Sequence, residues 1–114
     1  MADQRFIIEM GMGNDLHGEN YTKAAMRAVE NARQRSSLHI LSVPGIKRDA
    51  LRIVVTIGVQ APEQVDPAAI AGLFGGANVT VRVEKGGLNS RHPETGQSIV
   101  MAAAAIEAFL PAQR

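Results

Sequence analysis

The sequence contains no cysteine and no tryptophan, and its aromatic residues stop at three Phe and one Tyr. Without cysteine there is no disulfide, no thiol nucleophile and no thiolate metal site, a composition that fits a reducing compartment, so a cytoplasmic location is expected. With so few aromatics the core must be built from Ala, Val, Ile and Leu, small side chains that bring packed elements close together. Charge of one sign is also lacking: 12 Lys and Arg stand against 11 Asp and Glu, for a net charge of +1. That balance gives no footprint for a phosphate-rich partner, and no nucleic acid is expected. No apolar run approaches the roughly 20 residues that span a bilayer, and the start of the chain lacks the basic flank and apolar run of a signal peptide, so no membrane partner is expected.

What is present is the makeup of one globular domain, 114 residues of which 46% are hydrophobic and 20% charged. Residues 4–12 read as a strand, because Phe6, Ile8, Met10 and Met12 recur at period two while Ile7 adds apolar character to the other face. Apolar residues on both faces predict a central position in the sheet. The strand runs into a loop carrying Gly11, Gly13 and Gly18 together with Glu9, Asn14, Asp15, His17, Glu19 and Asn20. Its glycines match neither the dinucleotide spacing nor a P-loop, so no cofactor is implied. Asn20 is placed to cap a helix over Tyr21 to Arg35, whose apolar stripe is Tyr21, Ala25, Val29 and Ala32.

Beyond the helix, residues 38–43 fit a short strand or an apolar loop, and Pro44-Gly45 marks a turn. His39, set among apolar neighbours, reads as structural. Leu51 to Gln60 is a strand with Leu51, Ile53, Val55, Ile57 and Val59 on one face, and it too should be central. Asp66-Pro67 is an N-cap followed by Pro at the first helical position, opening a short helix that ends at Gly75-Gly76. Residues 78–84 alternate Val with polar residues and predict a half-buried strand. The stretch 85–96 is polar and reads as one long functional loop. Ser98 to Leu110, rich in alanine and stopping before Pro111, reads as a final helix. The expected fold class is therefore α/β: a single domain over residues 1–114, β-α-(β)-β-α-β-α, with helices packed on a small mixed sheet that oligomerisation completes.

Two constellations carry the chemical possibilities. Glu9, Asp15, His17 and Glu19 offer carboxylates and an imidazole at short spacing, with His92 as a second imidazole, although no spacing matches a zinc motif and no metal site is assigned. Lys23, Lys85, Arg91 and His92 with Asn14, Asn89 and Ser90 offer groups suited to the carboxylate or amide of a small molecule. Two solvated polar loops are the plainer reading of the same residues. Ser90 has His92 nearby but no third group, so a conventional triad is not expected.

The whole chain resembles a small bacterial family of conserved hypothetical proteins, through Glu9-Met10-Gly11-Met12-Gly13, Tyr21-Thr22-Lys23-Ala24-Ala25, Val54-Val55-Thr56-Ile57-Gly58-Val59 and Glu84-Lys85-Gly86-Gly87. That resemblance implies no activity. The run from Gly13-Asn14 into Asn20-Tyr21-Thr22-Lys23 also resembles one repeat of the ring-opening amidohydrolases, cyanuric acid hydrolase and barbiturase, in which three repeats surround a site. The enzymes' Lys after the first strand is missing here, and Thr56-Ile57-Gly58 stands where their Ser motif would be, so their Ser-Lys chemistry does not transfer. The resemblance implies a homotrimer with loops meeting at subunit boundaries.

The expected function is an oligomeric protein that binds a small polar metabolite at subunit interfaces. If it is an enzyme, the chemistry expected is hydrolysis or proton transfer on an amide-like or carboxylate substrate. Glu9 is then the general acid or base, His17 or His92 a second proton-transfer group, Lys23 and Arg91 anion anchors, and Asn14 and Thr56 hydrogen-bonding partners. A non-catalytic ligand-binding or structural oligomer is the alternative.

Overall fold

The computed structural model describes residues 3–34, 50–75 and 78–111. The elements are β1 (Asp3–Asp15), α1 (Tyr21–Arg33), β2 (Arg52–Val59), a 3-10 turn at Pro62–Gln64, α2 (Pro67–Gly72), β3 (Asn78–Lys85), β4 (Leu88–Arg91) and β5 (Ser98–Pro111). They form one mixed sheet in the order β1-β5-β2-β3, with β4 also paired to β5. Among the described residues only β2 and β3 run parallel; β5 is antiparallel to β1, to β2 and to β4.

The capping residues act as their chemistry predicts. The side chain of Asn20 accepts from Lys23 N at 3.0 Å and opens α1, and Asp66 accepts from Ala68 N at 3.0 Å and opens α2 with Pro67 at the first position. The two helices are tied to each other at both ends. Thr22 Oγ1 accepts from Asp66 N at 2.9 Å, while the Arg33 guanidinium donates to Leu73 O at 2.7 Å and lies 5.3 Å from the centre of the Phe74 ring.

The largest departure from the sequence reading is the C-terminal segment, which is a strand and not a helix. Alanine has the highest helix propensity, but the burial of β5 alternates: Val100, Ala102, Ala104, Ile106 and Ala108 are buried and their neighbours are not. Tertiary context decides, because β5 is hydrogen-bonded on both edges and α1 packs across its buried face. With β5 in the middle, β1 is an edge strand and not the central one expected from its two apolar faces. β2 is central as expected, between β5 and β3. The stretch 85–96 is not a single loop, since Leu88–Arg91 pairs with Ser98–Met101. The expected strand or loop at 38–43 and His39 lie outside the described residues.

The core lies between the sheet and α1. Ile7, Ile53, Val55, Ile57, Val100, Ala104 and Ile106 meet Ala24, Ala25, Ala28, Val29 and Ala32 of the helix. On β1 the helix side is Gly11 and Gly13, and a Cβ on Gly11 would come within 2.5 Å of Ala32 N and 2.7 Å of Ala28 O. Backbone therefore rests on backbone, a contact that only glycine permits. Both helices cover one face of the sheet. The molecule measures 59 × 25 × 20 Å, and the short dimension is that of one sheet with one helix layer at about 10 Å each.

The candidate site at the β1 edge and the first helix

β1 ends at Asp15, whose register partner Val100 is fully buried. Asp15 is 2% exposed and is the one buried charged residue among the described residues. Its Oδ2 accepts from Asn20 N at 2.9 Å, and its Oδ1 faces Lys23 Nζ at 3.8 Å and Arg27 Nη1 at 3.6 Å. The Asn20 N–H bond foremost holds its carboxyl below the usual carboxylate range. Burial pushes it up, and the charges of Lys23 and Arg27 with the His17 N–H draw it further down. The carboxylate therefore fastens the end of β1 to the N-cap of α1, with two cations over it.

From this point α1 runs back along the edge of β1. Lys23, Arg27 and Asn31 are spaced by four and form one ridge of the helix facing that edge. Asn31 Oδ1 accepts from Met12 N at 3.1 Å, and Arg27 Nη1 donates to Asn14 O at 2.7 Å. Two outward backbone groups of an edge strand are thus satisfied by helix side chains. Between strand and helix lies an open groove of about 470 Å³, lined by Asn14, Lys23, Arg27 and Asn31, with Met26 and Leu73 among its apolar walls.

Of the residues expected at the site, Asn14 and Lys23 line this groove, and the rest are elsewhere. Glu9 is half-buried on the helix face of β1, six residues before Asp15, which along a strand is roughly 20 Å. Thr56 lies between the fully buried Val55 and Ile57 and points to the opposite face of the sheet. His17 and the 91–97 turn meet on the far side of the Asp15 loop, where Gln97 Nε2 is 3.1 Å from His17 Nδ1 and Asn89 Nδ2 donates to Tyr21 Oη at 2.8 Å. The His92 Nδ1 accepts from Glu94 N and Thr95 N, both at 3.2 Å, and builds the turn before β5. The Arg91 guanidinium covers Gly96. His17 touches the turn that carries His92 while Glu9 lies apart on β1, and the described residues contain no group of three His, Asp or Glu able to hold a metal.

Arg27 and Asn31 also line the groove and were not among the expected site residues; Asp15, weighed from sequence only with Glu9, His17 and Glu19, anchors the end of β1 beneath Lys23 and Arg27. The four-residue spacing of Lys23, Arg27 and Asn31 was a signal for the ridge, whereas nothing in a run of polar residues says which carboxylate is buried.

A family model described as a conserved hypothetical protein, the Lin0512 family, matches residues 5–108. The chain belongs to this family. The match takes in the whole groove and all five strands except the outermost residues of β1 and β5. A crystal structure of a protein from Nostoc punctiforme, described as FtsZ-like and of unknown function, is 33% identical over 98% of this chain and 99% of that one, with a TM-score of 0.81. No curated protein matches the sequence. Neither the family description nor the neighbour's bears on a likeness to ring-opening amidohydrolases.

Proposed function

We propose that the protein is a non-catalytic binder of a small carboxylate-bearing metabolite, held in the groove between β1 and α1. The observation that carries this is the charge count along the ridge. Lys23 and Arg27 face a single buried carboxylate, Asp15, and the lining residue Glu30 is paired with Arg33 at 3.1 Å, so that these five charges together leave one positive charge in excess around the groove. A carboxylate placed there meets a cation, the Asn14 amide and the apolar walls of Met26 and Leu73. The groove volume lies in the range of small-molecule sites. Binding is favoured over catalysis because neither Glu9, His17 nor His92 is among the lining residues.

The test is calorimetric titration with a panel of small mono- and dicarboxylates, using the native protein and Lys23→Met. The reading expects at least one carboxylate to bind the native protein, and Lys23→Met to weaken it about tenfold, the equivalent of about 1.4 kcal/mol. Absence of carboxylate binding, or equal affinity in the variant, would overturn it. A second reading, a structural oligomer, is favoured by a different feature, the exposed large hydrophobic side chains on the sheet face opposite α1.

A further inference from the structure

The face of the sheet away from α1 collects most of the exposed large hydrophobic residues. Ile8, Met10 and Met12 of β1 are 42%, 64% and 59% exposed, Leu88 of β4 is 60% and Ile99 of β5 is 38%. Register places Met10 beside Ala105, Met12 beside Ala103 and Leu88 beside Met101. Ala105 and Ala103 in turn sit beside Thr56 and Gly58 of β2. The result is a floor of small residues flanked by the larger apolar side chains of β1 and β4, with Thr80, Arg82 and Glu84 of β3 along the other margin. We infer that this face binds a second copy of the same chain, sheet against sheet.

Area and charge both point to self-association. Four strands at about 4.8 Å spacing, eight residues deep, with β1, β4 and β5 continuing past the end of β2, present roughly 700–800 Å². That is about what each partner contributes to a stable interface, near 800 Å². Charges on this face alternate in sign: Arg5 pairs with Glu107 at 3.1 Å, and Arg82 and Glu84 stand on β3 one step apart on the same side. A surface carrying both signs is complementary to itself when turned over, whereas a lipid headgroup layer or a nucleic acid selects one sign. Aligned sheets pack at about 10 Å with apolar side chains interdigitating, for which the methionines over alanine and glycine leave room.

The contact is separable from the ligand, because only Met12 among the exposed apolar residues on this face also lines the groove. The experiment is sedimentation velocity of the full chain, native and Met10→Glu/Leu88→Glu, at high micromolar protein, with circular dichroism to verify folding. Neither residue lines the groove. The native protein is expected at twice or more the 12.1 kDa of one chain, and the folded double variant at the mass of one chain. A native protein at single-chain mass would overturn the inference, including one that instead binds vesicles or another protein through this face. So would a folded double variant that remains oligomeric, since the interface would then lie elsewhere. If the double variant fails to fold, Met10→Lys alone is read by the same criterion.

Discussion

Replacing Gly13 by Ala tests whether the helix rests directly on the strand. At most exposed positions a Gly→Ala change helps, by about 0.4–1 kcal/mol, because it narrows the unfolded ensemble. At Gly13 the added Cβ would overlap Ala28 N and come within 2.6 Å of the Arg27 carbonyl carbon and Cβ. These are backbone and near-backbone atoms of α1, so no rotamer relieves the contact and the helix must lift from the sheet. Overpacking of this kind costs about 2–3 kcal/mol, and at roughly 4 °C per kcal/mol for a domain of this size the melting temperature should fall by about 8–12 °C. Gly72 is the matched control: it ends α2 and a Cβ there meets nothing within 4 Å. Gly72→Ala should be neutral or stabilising by about 0.5 kcal/mol. Thermal and urea melts of both variants supply the comparison. A Gly13→Ala protein within about 0.5 kcal/mol of native would refute the close approach of α1 to β1, and the groove geometry with it.

Two further perturbations separate the parts of the site. Asp15 is held ionised in the fold, with its pKa below the ordinary 3.8, so its contribution to stability is present above pH 3.8 and is lost as pH falls through the lower folded value. Asp15→Asn should therefore melt below the native protein at neutral pH, with the gap closing progressively under pH 3.8; a gap independent of pH would contradict the ionised anchor. Asn31→Ala removes the acceptor for Met12 N, and should cost about 1 kcal/mol and raise concentration-dependent aggregation through the exposed β1 edge. Unchanged stability and light scattering would show that the edge needs no such cover.

Much of the fold could be read from local signals. Asn20 and Asp66-Pro67 marked both helix starts because capping is a local hydrogen-bond requirement that the side chain satisfies within three residues. The alternation at Arg52–Val59 and Asn78–Lys85 marked two strands because burial there largely follows period two, with Val54 buried on the second face as well. β5 was misread because the alanine run satisfies helix propensity and gives a weak periodicity in either conformation. What fixes it as a strand is non-local: β1 on one side, β2 and β4 on the other, and a helix packed on its buried face. The site was legible only in part for the same reason. Asn14 and Lys23 are adjacent to the loop in sequence, but Glu9 and Thr56 were joined to it by residue type, and strand geometry separates them by distance in one case and by face in the other.

The proposed role of the groove is tested most directly by mapping where a carboxylate lands. Backbone amide shifts of isotope-labelled protein, followed through a titration with the tightest-binding member of the carboxylate panel, report each residue separately. The account predicts saturable shifts at Asn14, Lys23, Arg27 and Asn31, with Thr56 and Glu9 unmoved. Saturable shifts centred on His17, Asn89 and Gln97, with the α1 ridge silent, would contradict it.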